Sequence, residues 1–399
     1  MAKRALVSGG SIGGLFVALM LRRIGWDVLV LERSSVELAG RGAGIVTHDL
    51  LNRLIAQAGA PTENLGVQVH ERVAFDRDGN RIATIPFEQL VTSWDRIHSG
   101  LRSRMEEGSY LLGHEVTGYR DTGNGVVATL SNGKEIEGDL LVGVDGFRSS
   151  VRGQMLPDVR PAYAGYVVWR TLADEAALPP ALHKTLFEPF GFYLPAGTQV
   201  LGYPIAGPDN DLRPGHRRYN FVWYAPVADS ALPDMLTDVH GHTHDMTIPP
   251  PLIRDAVLAD MRAFAEANLS RPFIEVLDHC DRPFFTPIYD HHSPVMARGH
   301  VALAGDAACV ARPHLGMGVT KAAADAEALA RHLAASDFMT ALTAYSDERT
   351  PASKSARDIA QRLGRYIFEG FAPGENKDGR SNPRMDEVMR TTAVIPGDL

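Results

Sequence analysis

Apolar and polar positions along this chain fall into three textures. In the first, Ala5 to Ser8 is an apolar run of strand length, Leu15 to Ile24 keeps a helical period and stops at Gly25, and Val28 to Leu31 is a second apolar run ending on Glu32. Two buried strands joined by one helix predict a βαβ unit, because parallel neighbours need a crossover. A glycine-rich turn (Gly40, Gly42, Gly44) and a helix around Leu50 to Ala58 follow. Next come strands over 67–91 that turn at Asp78-Gly79-Asn80, and a helix near Arg96 to Glu107. Val126 to Leu130 and Lys134 to Glu137 flank Ser131-Asn132-Gly133, which signals a hairpin. Leu140 to Val144 is one more buried strand, ending at Asp145-Gly146.

The second texture runs from about 160 to 285. Aromatics, prolines and short strand-like runs dominate: YVVWR at 166–170, FGFYLP at 190–195, VLGYPI at 200–205 and YNFVWY at 219–224. These predict an antiparallel sheet with one face open to a ligand, with helices around Met235 and over 252–268. The first texture then returns. Val301 to Ala304 leads into Gly305-Asp306, a loop with Pro313, Gly316 and Gly318, and an alanine-rich helix. Residues 341–368 predict a long amphipathic helix broken near Pro351, and Pro373 to Leu399 a polar tail that is either loosely ordered or draped over the surface.

The fold class is therefore α/β, α+β overall. A discontinuous Rossmann-like nucleotide-binding domain is expected over 1–75, 92–160 and 283–345. An inserted antiparallel-sheet substrate domain is expected over 76–91 and 161–282, and a C-terminal helix and tail over 346–399.

Composition narrows the function. The net charge of −8 argues against nucleic acid and anionic membrane as general partners. The two cysteines, Cys280 and Cys309, form no disulfide framework and suit a reducing cytoplasm. The first apolar run is too short for a signal sequence. His240, His242 and His244 stand beside Asp238 and Asp245, but DVHGHTHDM is turn-like and no metal is expected there.

Gly9-Gly10-Ser11-Ile12-Gly13-Gly14 lies between a strand and a helix, where a GxGxxG dinucleotide fingerprint belongs, with Ser11 at its middle glycine position. Gly9 permits the tight turn, Gly13 and Gly14 permit close packing, and the helix N-terminus at Ser11 and Ile12 faces a pyrophosphate. Glu32, followed by Arg33, ends the next strand, where a carboxylate accepts hydrogen bonds from ribose hydroxyls. The fingerprint alone fits FAD or NAD. Some 300 residues later, Asp306 and the glycine loop form a second crevice for an extended polar ligand.

With Gly305-Asp306 and the run from Val144-Asp145-Gly146 to Arg152 added, the chain resembles the class A flavoprotein aromatic hydroxylases, the para-hydroxybenzoate hydroxylase family. The resemblance spans nearly the whole chain in order and spacing. Its nearer branch is the dihydroxypyridine 3-monooxygenases, on the stretches 163–170, 202–205, 221–224 and 305–314. It implies an FAD enzyme that uses NADH or NADPH and O₂ to hydroxylate a small hydroxylated aromatic or pyridine ring through a flavin hydroperoxide. No separate nicotinamide domain is implied, and a homodimer is expected. By position, Asp306 would hydrogen-bond the ribityl chain, Pro313 would pack near the isoalloxazine, and Gly316-Met317-Gly318 would donate to its pyrimidine edge. Asp145 and Arg152 would lie near the pyrophosphate. Three positions depart from the family pattern: Cys309 in place of His, Thr320 in place of Asn, and Trp94 in place of Arg.

An electron-rich ring needs an apolar slot and a proton acceptor for its hydroxyl. Tyr203 is the first candidate for contact and catalysis. Trp223 and Tyr224 come second as substrate contacts, with His48 as a catalytic and His314 as a substrate-binding alternative. Arg170 is assigned to anchoring the sheet. Two other activities remain open on this sequence, a flavin oxidoreductase that inserts no oxygen and a non-catalytic flavin or aromatic-binding protein.

Overall fold

Parallel pairing of the amino-terminal apolar runs is present in the computed structural model, which describes residues 2–38, 44–367 and 385–395. A six-stranded sheet runs in the order Ala297–Arg298, Val301–Leu303, Leu140–Gly143, Arg4–Ser8, Asp27–Glu32 and Tyr110–Leu112. Only the first pair is antiparallel. Helices Ile12–Arg23 and Gly318–Ala335 pack against each other in the same apolar core. Strands from residues 4, 140 and 301 thus lie side by side, and their carboxyl ends open together, the usual crevice of such sheets.

The second layer is a nine-stranded sheet. Its order is Cys309–Val310, Phe284–His292, Ala162–Asp174, Arg218–Pro226, Gln199–Ile205, Phe190–Tyr193, Val67–Phe75, Arg81–Ser93 and Gly44–Val46. All neighbours are antiparallel except Phe190–Tyr193 with Val67–Phe75. Strand alternation sorts its side chains onto two faces. Val167, Trp169, Phe221 and Trp223 pack with helices such as Asp255–Asn268 on one face. Tyr166, Val168, Leu201, Tyr203, Val222 and Tyr224 occupy the other.

The expected domain limits shift at four strands. Gly44–Val46, Val67–Phe75, Phe284–His292 and Cys309–Val310 fall within the limits expected for the nucleotide layer, yet all are hydrogen-bonded into the nine-stranded sheet. The hydrophobic pattern of Val67–Phe75 and Phe284–His292 cannot say which sheet they join, because partners more than 100 residues away decide it. The hairpin at Ser131-Asn132-Gly133 forms as expected between Val126–Leu130 and Glu135–Gly138. Gly40 and Gly42 lie outside the described residues.

The carboxyl-terminal helix is Phe338–Gly364, and Pro351 sits inside it without ending it. Tertiary bonds hold this stretch: the Thr350 carbonyl accepts from His292 Nε2 (3.0 Å) and Ser353 O from the Cys309 thiol (3.4 Å). The tail differs more. Its described part, 385–395, contains helix Met385–Thr391 and is bound to the sheet, with Met389 fully buried. Arg72 Nη1 donates to the carbonyls of Met389 (2.5 Å) and Thr392 (2.7 Å), and Gln89 Nε2 donates to Ala393 O (2.8 Å). Ala393 N–H returns a bond to His314 O (2.9 Å). The sequence alone leaves a loosely ordered tail open because the attachment of this strap runs through backbone carbonyls, which side-chain polarity does not reveal.

Candidate active site

Strand Val301–Leu303 gives way to Gly305, whose φ of +57° lies in the left-handed region that favours glycine. Buried charges hold this residue at both ends. Its N–H donates to Asp325 Oδ2 (3.0 Å), and its carbonyl accepts from Lys321 Nζ (2.8 Å). Lys321 also meets Asp325 (3.3 Å), and Arg349 Nε donates to Asp325 Oδ1 (2.9 Å). Asp325 and Lys321 were not singled out from sequence. The available signal was an i,i+4 charged pair inside an alanine-rich helix with no apolar face to spare.

Gly305 directs Asp306 into a crevice of about 340 Å³. The loop Pro313–Gly318 forms one wall and the sheet face with Phe190, Leu201, Tyr203, Val222 and Tyr224 the other. Gly316, at φ +62°, turns the loop against Ala393 of the strap, and helix Gly318–Ala335 begins at the crevice. Asp306 exposes its surface to the crevice while protein surrounds it, and that burial raises its carboxyl pKa, with Lys321 acting in the opposite direction. Tyr203 stacks on Phe190 (4.6 Å) and its hydroxyl donates to Gly44 O (3.3 Å). Burial raises both phenols, Tyr224 to about 12, so neither is a ready base near neutral pH. His314 is buried in the wall, and burial lowers it to about 3, so its ring is neutral. Its Nε2 lies 2.8 Å from Tyr166 Oη.

One substrate-binding candidate and one catalytic candidate fall elsewhere. Trp223 is on the opposite face of its strand, bonded through Nε1 to Thr198 Oγ1 (2.6 Å) and stacked on Phe264. Its neighbours Val222 and Tyr224 reach the crevice because alternate residues share a face. His48 sits behind the loop, with Nδ1 at 3.2 Å from Thr320 Oγ1 and Nε2 at 3.3 Å from Ala393 O. It lines a separate groove with Gln89 and Phe87, and burial holds it at about 4.

A second chamber of about 280 Å³ lies at the fingerprint, lined by Gly9, Ser11, Glu32, Arg33, Asp145 and Arg148. The glycines are required sterically. A Cβ on Gly9 (φ +107°) would meet Val144 O at 2.5 Å, and one on Gly14 would collide with Gly9 O. Glu32 is held by backbone N–H groups, Gly10 to Oε2 (2.7 Å) and Ser34 to Oε1 (2.8 Å). The Ser11 side chain makes no capping bond on helix Ile12–Arg23. Trp94, stacked on His98 at 4.4 Å, lines both chambers and so marks where they meet. A polar chamber at a helix N-terminus and an apolar chamber beside Asp306 fit the two ends of FAD.

The comparisons bear on the same residues. Models described as FAD binding domain-like and FAD binding domain match residues 163–290 and 288–360. The 2,6-dihydroxypyridine 3-monooxygenase of Paenarthrobacter nicotinovorans is 30% identical over 394 residues, which is 98% of this chain and 98% of that one. The chain belongs to the FAD-dependent monooxygenases.

Solved structures agree with this membership. 2,6-Dihydroxypyridine-3-hydroxylase from Arthrobacter nicotinovorans superposes with a TM-score of 0.87 at 29% identity, covering 94% of this chain and 95% of that one. Klebsiella pneumoniae HpxO, complexed with FAD and uric acid, shares the fold at a TM-score of 0.74 and 23% identity, over 90% and 87% of the two chains. No described helix of this monooxygenase is long and apolar enough to cross a membrane.

The departures from the family pattern acquire physical roles in this monooxygenase. The Cys309 thiol is buried against Ser353 O, and burial pushes its pKa up to about 11, which makes it inert. Thr320 is buried beside His48. Arg152 is occupied internally, by His291 Nε2 (3.0 Å), Ala307 O (3.2 Å) and Phe147 O (2.7 Å), so it is not free for a pyrophosphate. Asp145 accepts from Ser149 Oγ (2.5 Å) and Ser150 N (2.9 Å) at the start of helix Ser150–Met155 while still lining the chamber. At the histidine run, Asp238 accepts from the backbone of His240 and His242 and from His244 Nε2 (2.9 Å), an ordinary turn arrangement. Glu175, His183 and Glu188 also converge, but the Arg217 guanidinium already bonds both carboxylates.

Proposed function

We propose that this monooxygenase hydroxylates a small hydroxylated aromatic or pyridine ring, with NADH or NADPH as reductant and O₂ as oxidant. The observation that carries this is the juxtaposition of Asp306 and the Pro313–Gly318 loop with the aromatic face of Phe190, Tyr203 and Tyr224 across one crevice. A flavin ring and a substrate would have to share about 340 Å³, which restricts the substrate to a small ring. The full-length similarity to a 2,6-dihydroxypyridine 3-monooxygenase supports a pyridine. FAD bound here would be reduced by the nicotinamide and would activate O₂ for transfer of one oxygen atom to the ring.

The chain's own groups bind, orient and exclude water. Gly9, Ser11, Ile12, Gly13, Gly14, Glu32, Arg33 and Asp145 would hold the ADP half. Asp306 would take the ribityl hydroxyls, and Pro313, Gly316, Met317 and Gly318 would frame the ring. Tyr203 and Tyr224 offer hydroxyl groups and flat apolar surface to the substrate. With the Tyr166 hydroxyl donating to His314 Nε2, which lies 2.8 Å away, the His314 proton would sit on Nδ1. Nδ1 has no partner among the described residues, and so this N–H would donate to a ligand oxygen in the crevice. His48 would act indirectly, by bracing Thr320 and the strap. The same proposal keeps a homodimer and, for two unlinked cysteines, a reducing cytoplasm.

The experiment is a panel of hydroxypyridines and hydroxybenzoates screened for stimulated NAD(P)H consumption, with product masses. One oxygen gained by a panel member is expected. Stimulated NAD(P)H oxidation with peroxide and no oxygenated product would sink the proposal. Asp306→Ala should lose FAD, whereas Tyr203→Phe should retain it and release more peroxide per NAD(P)H. Equal FAD loss in both variants would refute the roles given to them.

A further inference from the structure

Two charged side chains line the crevice, Asp306 and Arg170. Arg170 lies on strand Ala162–Asp174, in register with Val222 of Arg218–Pro226, which is itself in register with Leu201. It therefore stands in the middle of the sheet face that bears Tyr203 and Tyr224, as the alternation from Tyr166 and Val168 requires. An anchor for the sheet would be bonded to the sheet. Arg170 has no ion pair or side-chain hydrogen bond among the described residues, and its buried Nε is without a partner.

Arg72 and Arg152 also leave Nε without a partner, but the other well-enclosed arginines are all engaged through at least one guanidinium nitrogen. Arg72 holds two strap carbonyls and Gln89, Arg152 holds Phe147 and Ala307, Arg217 grips Glu175, Arg312 pairs with Asp290, and Arg349 pairs with Asp325. An enclosed guanidinium with neither a counter-charge nor a hydrogen-bond partner is costly, and a ligand that supplies an anion relieves that cost. A guanidinium offers several N–H donors in one plane, which matches an oxyanion on a flat ring lying against the sheet.

We infer that Arg170 binds an anionic oxygen borne by the aromatic substrate, and so selects ionised rings over neutral ones of the same shape. The inference rests on the crevice being the substrate site. A ring oxyanion and a ring carboxylate share this chemistry. With a ring oxyanion, Arg170 would also favour the electron-rich form on which electrophilic oxygen transfer depends. His314 Nδ1–H, on the opposite wall, leaves room for a second polar atom of the ring.

The test is calorimetric titration of the FAD-loaded protein at alkaline pH with two matched pairs: 4-nitrophenolate against 4-nitroanisole, and benzoate against benzamide. The wild type should prefer at least one anion over its neutral partner, and which pair shows the preference identifies olate or carboxylate. A charge-assisted bond of this kind is worth roughly tenfold to a hundredfold in Kd. Arg170→Met should abolish the preference while leaving FAD and the neutral probe bound as before, and Arg170→Lys should keep part of it. The inference is overturned if Arg170→Met keeps the preference, if anion and neutral probe weaken equally, or if neither anion binds the FAD-loaded wild type more tightly than its partner. A wild type that binds the anion through Arg170 yet yields no oxygenated product would fell the hydroxylation proposal and leave this one standing.

Discussion

Replacing Asp325 by alanine removes the acceptor shared by Gly305 N–H, Lys321 and Arg349 (3.0, 3.3 and 2.9 Å). Asp325 is 0% exposed and Lys321 3%, so two cations would be left facing each other without a carboxylate and largely without water. Breaking a buried pair in this way costs about 3–5 kcal/mol, a large share of the roughly 5–15 kcal/mol of a whole fold. Asp325→Asn keeps one carbonyl oxygen for Gly305 and loses the charge, so its loss should be smaller, about 1.5–3 kcal/mol. The turn at Gly305 aims Asp306, so cofactor affinity should fall with the pair. Urea unfolding of the flavin-free protein gives the stability, and flavin fluorescence on titration with FAD gives the affinity. The expected order for both quantities is wild type, then Asp325→Asn, then Asp325→Ala. An alanine variant within about 1 kcal/mol of wild type would show that the network is not a stability element. Lost stability with unchanged FAD affinity would show that it does not position Asp306.

Two further outcomes follow from other buried groups. His291 and His314 are held neutral at about 3, chiefly by burial, against an ordinary value near 6.5. The unfolded chain therefore takes up these protons first: stability is full above about 6.5, falls as pH drops from there toward 3, and at pH ~5 is lower by about 2 kcal/mol per histidine. A urea midpoint flat between about pH 7.5 and 5 would contradict this, because exposed carboxylates titrate lower. Arg72→Met removes the bonds to Met389 and Thr392, and their loss at about 1–3 kcal/mol each should free the strap. Proteolysis or hydrogen exchange at 385–395 should then speed up, with more peroxide formed per NAD(P)H, and unchanged protection would refute the strap's dependence on Arg72.

Local signals in the sequence place a residue correctly where only its own neighbours decide its position. Gly9 to Gly14, Glu32 and Gly305-Asp306 each need only their own strand, turn and helix, and the structure brings them to the carboxyl end of one sheet. Properties set by distant partners were not legible. Whether Trp223 or Tyr224 faces the crevice depends on one step of register, and both are aromatic. The same parity hid Arg170, which a strand with both faces buried could have placed on either side. Residue type points His48 toward catalysis and the family resemblance points Arg152 toward the pyrophosphate, but each is occupied by structure far along the chain: His48 by Ala393, Arg152 by His291.

Trp94 has a consequence for observation. Of the four tryptophans, it alone lines the two chambers, while Trp169 and Trp223 are buried in the opposite face of the sheet and Trp26 packs near Phe338. An indole at the junction would lose its emission by energy transfer to any flavin lying alongside it. The molecule thus carries an internal optical gauge of whether its two chambers are bridged, one that Trp94→Phe would silence while the other three indoles continue to report on the fold.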